Sequence, residues 1–91
     1  MKLWKIWQDQ NTGYDTFDSA VVAAESAERA RFIHPEMDNA FGLSNPPTYE
    51  EIWEIEPGSW APEPAYVVVE YLGEAREGLE EGVVCASFNA G

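Results

Sequence analysis

Residues 2–8 are Lys2-Leu3-Trp4-Lys5-Ile6-Trp7-Gln8, and this run decides the fold class because it predicts an N-terminal β-strand. Aromatic and β-branched residues dominate it, which is typical of strands. Alternation along a strand places Trp4 and Ile6 on one face and Leu3, Lys5 and Trp7 on the other. Since both faces carry a tryptophan, we expect both faces to be at least partly covered.

Three more strands and one main helix are predicted downstream. Residues 19–24 form a short apolar run that fits a helix or a strand by periodicity, and the paired Val21 and Val22 favour a strand. Residues 25–34 predict the main helix, with Ser26 as its N-cap and Pro35 as its stop. The strongest strand patterns are residues 65–72 and 82–88. We expect these two strands to pair antiparallel across the acidic connector 73–81.

The stretch 35–64 is read as an irregular excursion, because it contains all six prolines. Within it Thr48 and Glu51 fit a capping box, so residues 48–55 predict one or two helical turns, with a strand as the alternative. The chain as a whole, residues 1–91, therefore predicts a single α+β domain. Its architecture is a small antiparallel sheet of about four strands in the order β-β-α-β-β, one main helix and a long proline-rich insertion.

The charge balance excludes several classes of partner. Seventeen Asp and Glu face five Lys and Arg, for a formal net charge of −12. Such a surface repels phosphate backbones and anionic membranes, so no direct nucleic-acid binding is expected. It either keeps a small protein soluble or matches a basic partner. No apolar run reaches the roughly 20 residues of a membrane span, and no signal-peptide pattern opens the chain, so we expect a cytoplasmic protein with no membrane partner.

Catalytic and metal-binding motifs are not found. His34 is interpreted as a capping or surface residue, or as the partner of Arg29 in an anion site, and Cys85 as a buried structural thiol. The oxygen donors between residues 9 and 18 lack the spacing of a calcium-binding EF-hand loop. We therefore expect a binding protein rather than an enzyme, with no metal and no cofactor.

The polar segment 8–19 lies between two apolar stretches, where a short turn would have been enough. Two interpretations stay open: a loop that satisfies its own hydrogen bonds, with Asp15 and Asp18 accepting from backbone amides, or a rim of polar groups beside Trp7 and Tyr14 on which a planar ligand stacks. Ser87 and Asn89 would come near this loop if the last strand pairs beside the first. The candidate ligand-binding residues combine this segment with scarce cations and the C-terminal polar positions: Trp7, Gln8, Asn11, Tyr14, Asp15, Asp18, Ser19, Arg29, His34, Ser87 and Asn89.

The pattern of Gln8, Asn11, Tyr14-Asp15-Thr16 and Asp18-Ser19, followed by Val21 to Ala24 and the ending Ala86 to Gly91, resembles a family of small accessory proteins of tailed bacteriophages. The resemblance covers most of the chain except its proline-rich middle, and it carries no site residues with it. It implies an accessory phage protein in the cytoplasm of a bacterial host cell, where small acidic phage proteins often act against host defences.

Two main functional hypotheses combine this resemblance with the polar segment and the acidity, and a hydrolase that uses the carboxylates of the segment stays open as a third. In the first, the protein sequesters a small nucleotide-like signalling ligand at the candidate residues. In the second, it is an acidic protein-binding inhibitor that occupies a basic, nucleic-acid-binding surface of a host protein. A homo-oligomer is also expected, because exposed aromatic residues on a small sheet favour association. The candidate acidic face of the second hypothesis consists of Glu50, Glu51, Glu54, Glu56, Glu74, Glu77, Glu80 and Glu81.

Overall fold

A computed structural model of the chain describes residues 1–37, 48–55 and 58–89. These residues form a four-stranded antiparallel sheet and two short helices, which confirms the α+β class. Residues 38–47 and 56–57 of the predicted proline-rich insertion lie outside the described residues. The elements in chain order are β1 (Lys2–Trp7), β2 (Thr16–Ala24), α1 (Ala27–Phe32), α2 (Tyr49–Ile55), a 3₁₀ turn (Pro64–Tyr66), β3 (Val68–Glu74) and β4 (Gly82–Asn89).

The strand order across the sheet is β3-β1-β2-β4. The predicted pairing of the third and fourth strands is therefore wrong, because β1 and β2 lie between them. β1 pairs with β2 along its whole length, from Lys2 opposite Ala24 to Trp7 opposite Ser19. The two later strands then add at opposite edges. An edge position suits β3, since Glu70 and Glu74 are exposed charges of the kind that protect edges.

The core lies on one face of this sheet. Ile6 of β1 and Val22 of β2 are fully buried there, together with Ala30 of α1 and Ile33 just beyond it. The small Ala30 lets α1 pack closely on the strands. Arg31 ties the same helix to the start of β3, because its guanidinium Nη1 donates to the Val67 carbonyl at 2.7 Å. The opposite face of the sheet carries Leu3, Lys5 and Trp7.

Helix α1 begins as predicted and ends early. The Ser26 hydroxyl accepts from the Arg29 N–H at 3.3 Å, which confirms the N-cap. The last helical residue is Phe32, because Ile33 has an extended backbone with φ −74° and ψ 116°. His34 therefore lies two residues beyond the helix and not at its end.

Residues 48–55 form the helical alternative, with the predicted capping box. The Thr48 hydroxyl accepts from the Glu51 N–H at 3.3 Å, and the Glu51 carboxylate accepts from the Thr48 N–H at 3.0 Å. Trp53 joins α2 to the end of α1, since its indole N–H donates to the Phe32 carbonyl at 2.8 Å. Residues 49–55, which belong to the predicted irregular excursion, are thus helical, and Trp53 holds them against α1.

The capping box makes stability depend on pH. The hydrogen bonds from Thr48 hold the pKa of the Glu51 carboxyl below its ordinary value. A lowered pKa stabilises the fold above the pKa of the unfolded chain, and this contribution disappears as the pH falls through the folded pKa. We expect Glu51→Gln to lower the melting temperature at neutral pH and to have little effect in acid. Thermal circular dichroism across pH measures this; a pH-independent difference, or the same profile for the exposed Glu54→Gln, would contradict it.

Candidate functional site

The polar segment is organised by the buried side chain of Gln8, which is 4% exposed. Its amide oxygen accepts from the N–H groups of Gln10 at 2.9 Å and Asn11 at 2.8 Å. Its amide nitrogen donates to the carbonyls of Asn11 at 2.7 Å and Phe17 at 3.0 Å. A primary amide has two donors and two acceptor positions, so all four are used. Gln8 holds the loop closed and has no hydrogen-bonding capacity left for a ligand.

A second set of hydrogen bonds fixes the loop to residues 58–60. Asn11 donates from its amide nitrogen to the Gly58 carbonyl at 2.7 Å. The backbone N–H of Phe17 donates to the Ser59 carbonyl at 2.8 Å. Within the loop itself, the Thr16 hydroxyl donates to the Gly13 carbonyl at 2.7 Å. The geometry therefore matches the self-satisfied loop, although the side chains that close it are amides and a hydroxyl and not the expected aspartates.

The remaining candidates of this segment, Tyr14, Asp15 and Asp18, are exposed. Tyr14 is 76% exposed at the tip of the loop. Asp15 follows it with a positive φ of 60°, a turn conformation that Asp tolerates better than most residues. Asp18 is exposed where the register between β2 and β4 shifts.

Three candidates do come together on the open face of the sheet. Trp7 lies opposite Ser19, and Ser19 lies opposite Ser87 of β4. β4 is therefore beside β2, and not beside the first strand; its last residue, Asn89, pairs with Thr16. Lys5 belongs to the same group, although it is not among the predicted site residues. It lies two residues before Trp7 on β1 and therefore on the same face of the sheet. Its ammonium lies 5.4 Å from the centroid of the Trp7 ring, within the range of a cation–π interaction.

The cavity on this face is shallow. It measures about 170 Å³ and is lined by Lys5, Ser19, Val21, Cys85 and Ser87, among others. Small-molecule sites generally measure about 300–1,000 Å³, so this one is too small to enclose a nucleotide. Cys85 is exposed here, which corrects the expectation of a buried thiol. The cause is the edge position of β4, which leaves its outward side chains uncovered.

The predicted anion site of Arg29 with His34 does not form. The Arg29 guanidinium makes two hydrogen bonds to the Glu81 carboxylate, at 2.5 and 2.7 Å, and this pairing raises the pKa of Arg29. His34 is fully buried, which also excludes the surface role. Its ring lies 4.9 Å from the Trp53 ring, and its Nδ1 accepts from the Glu36 N–H at 3.1 Å. The early end of α1 turns His34 into the core and away from Arg29.

Two adjoining cavities of about 350 and 390 Å³ lie between α1, α2 and the start of β4. They share Tyr49 and Glu81, and we call them together the acidic groove. Its apolar side chains are Phe32, Met37, Tyr49, Leu79 and Val83, and its carboxylates are Glu28, Glu50, Glu80 and Glu81.

The acidic groove unites parts of the two predicted glutamate clusters. Glu50 comes from the first cluster, and Glu80 and Glu81 come from the second. Burial raises the pKa of the Tyr49 phenol between them, the Glu81 charge raises it further, and Arg29 opposes the change. Sequence reasoning missed the apolar side chains here, because they become neighbours only when both helices and the connector fold together.

Comparisons of the chain with protein-family models, with curated proteins and with solved structures find no match. Within residues 1–37, 48–55 and 58–89, no helix is long and apolar enough to cross a membrane. The same residues contain no group of three or more His, Cys, Asp or Glu side chains placed to hold a metal ion.

Proposed function

We propose that this is a binding protein whose acidic groove recognises a basic, partly apolar segment of a partner protein and so occupies a basic surface of that partner. The observation that carries the proposal is the lining of the groove. Exposed Phe32 and half-buried Tyr49 form apolar surface, and Glu28 and Glu50 stand beside them. Arg29, the one cation among the described residues of the lining, is already bonded to Glu81.

Such a lining favours a ligand that is both cationic and apolar. Lysine or arginine side chains would meet several carboxylates, while leucine-like or aromatic side chains would cover Tyr49 and Phe32. The net charge of −12 extends the attraction beyond contact range and speeds association with a basic surface. Salt screens such attraction within about 10 Å at 0.1 M ionic strength. We therefore expect binding to weaken as the salt concentration rises.

The same charges disfavour a phosphate-bearing ligand in this groove, because its carboxylates repel phosphate. The sheet-face cavity has the only other candidate residues that the described structure brings together, and it is too small for a nucleotide. Sequestration of a nucleotide-like ligand thus stays a prediction with less physical support. Isothermal titration calorimetry with cyclic and ADP-ribose-type nucleotides tests it, and measurable heat would favour it over the groove proposal.

In the context implied by the phage resemblance, the partner would be a host protein. Its basic surface would be one that normally holds nucleic acid, since such a surface presents Lys and Arg at high density. The acidic groove would then compete with phosphates for the same cations. This mode of action requires no catalytic residue in the chain.

A labelled probe peptide with alternating pairs of arginine and leucine tests the groove directly. We expect Glu50→Lys with Glu80→Lys to weaken its binding about tenfold or more, since a loss of about 1.4 kcal/mol of interaction is a factor of ten. Fluorescence anisotropy at low salt gives the affinities.

The control is Asp18→Lys with Glu63→Lys, which makes the same change in net charge at exposed positions outside the groove. The proposal requires that the groove variant lose much more affinity than this control. Equal losses would show that only the net charge matters and would contradict a site in the groove.

A further inference from the structure

The outer edge of β4 is the least protected part of the described sheet. No described segment pairs with that edge. The eight residues of β4, Gly82 to Asn89, include no charged side chain and no proline, although the chain carries a net charge of −12. Proteins usually protect an exposed edge with charges, prolines or bulges, because free backbone groups can pair with another strand. The opposite edge strand β3 has such protection in Glu70 and Glu74.

Two apolar side chains of β4 are also exposed, Val84 at 48% and Phe88 at 46%. One protective feature is present: the register shifts between Val21 and Val22, whose partners are Cys85 and Val83, so Val84 is left in a bulge. From Cys85 to Asn89 β4 itself has no further inserted residue and forms one regular stretch; the second register shift of this ladder, between Phe17 and Ser19, inserts Asp18 into β2 and not into β4. Ser87 is the centre of that regular stretch and is exposed.

We propose that β4 is a homodimer interface, in which two copies pair antiparallel through residues 85–89 and extend the sheet to eight strands. In an antiparallel pair related by a two-fold axis, one residue must face its own copy. Pairing of the whole regular stretch with itself places Ser87 on that axis, with Cys85 opposite Asn89 of the second copy. The interface is closed, because each copy uses the same unprotected edge of its described sheet.

The distribution of charge on the chain indicates that the strand pairing with β4 comes from a second copy of this chain. Two chains of net charge −12 can approach only where their carboxylates do not meet, and β4 is such a place. A basic partner, in contrast, would be drawn to the acidic groove. Only Gly82 and Val83 of β4 line that groove, so pairing after the bulge leaves it open and both functions can coexist.

The area that residues 85–89 of two copies can bury is small compared with the roughly 1,600 Å² of a standard stable interface. The dimer is therefore reversible and depends on protein concentration. Sedimentation velocity over a wide concentration range is expected to show the monomer converting to the dimer. Ser87→Glu places two carboxylates opposite each other on the axis, and this variant is expected to stay monomeric.

The matched control is Val68→Glu, which adds the same charge at a residue that is 44% exposed on the other edge strand. This variant should dimerise like the wild type, and circular dichroism checks that each variant is folded. A wild-type protein that stays monomeric at the highest concentration would overturn the proposal. Equal dimerisation of the wild type and Ser87→Glu would overturn it as well.

Thiol oxidation tests the register. Facing residues of an antiparallel pair have Cα atoms about 4.5–5.5 Å apart, within the range that a disulfide spans. With Cys85→Ser as background, diamide should join two chains through the thiol introduced by Ser87→Cys. In the wild type the two copies of Cys85 lie roughly 14 Å apart along the strands at 3.4 Å per residue, so little cross-linking is expected. The reverse pattern would contradict pairing centred on Ser87.

Discussion

Replacing Gln8 by leucine is expected to lower the free energy of unfolding by about 3 kcal/mol. Leucine has a similar size, so the change mainly removes the four hydrogen bonds that the amide makes with the backbone of Gln10, Asn11 and Phe17. Each buried polar group left without a partner costs about 1–3 kcal/mol. Water can reach some of these groups at the loop surface, so the total stays well below the sum of four such costs. Urea denaturation followed by tryptophan fluorescence measures the change.

Gln10 provides the control, because it is exposed and, among the described residues, its side chain bonds only to Asp9, at 3.0 Å. Gln10→Leu should change the free energy of unfolding by less than about 0.5 kcal/mol, as most surface substitutions do. If Gln8→Leu and Gln10→Leu have equal effects, the loop does not depend on the buried amide and its role would have to be reconsidered.

Trp60→Ala is expected to destabilise the protein by about 3–5 kcal/mol, the usual range for a large aromatic removed from a core. The side chain is fully buried in the core cluster that includes Ile6 and Val67. Among the described residues its indole N–H has no acceptor. Trp60→Phe should therefore be the milder change, since it keeps most of the apolar volume and leaves no hydrogen-bond partner unpaired. Thermal and urea unfolding give both values.

Tyr14→Ala is the comparison for this experiment. It also removes a large aromatic side chain, but one that is 76% exposed, so a change within about 0.5 kcal/mol is expected. Similar effects of Trp60→Ala and Tyr14→Ala would show that the Trp60 side chain is not part of the core.

The sequence predicts the local elements well, because their signals lie within a few residues of each other. Strand alternation around Trp4 and Ile6, the Ser26 N-cap and the capping box of Thr48 with Glu51 all appear in the structure. The order of the strands in the sheet could not be predicted from these local signals. Two apolar strands joined by a short connector look like a hairpin, and nothing local shows that β1 and β2 insert between them.

The candidate site was predictable only in part, for the same reason. Trp7, Ser19 and Ser87 do form a row across the sheet, because strand alternation places them on one face. Gln8 was chosen as a polar ligand-binding residue, and polarity alone cannot reveal that its amide is buried and fully bonded. His34 was placed at a helix end, but α1 stops two residues before it.

The acidic groove could not be predicted as a unit. Three of its glutamates, Glu50, Glu80 and Glu81, belong to the two clusters predicted along the chain, but its apolar residues come from several separate parts of the chain. Phe32 belongs to the end of α1, Tyr49 to the start of α2, and Leu79 to the connector before β4. Only the packing of these elements creates apolar surface beside several carboxylates, which is the combination that favours a basic amphipathic ligand.

The central claim is that this groove, and not the sheet face, binds a basic segment. Backbone amide chemical shifts of the labelled protein, recorded by NMR while the arginine–leucine peptide is added, test it most directly. The proposal predicts that the shift changes cluster at Glu28 to Phe32, Tyr49 to Glu50 and Leu79 to Val83. Changes that cluster instead at Trp7, Ser19 and Ser87, or no saturable changes at low salt, would contradict it.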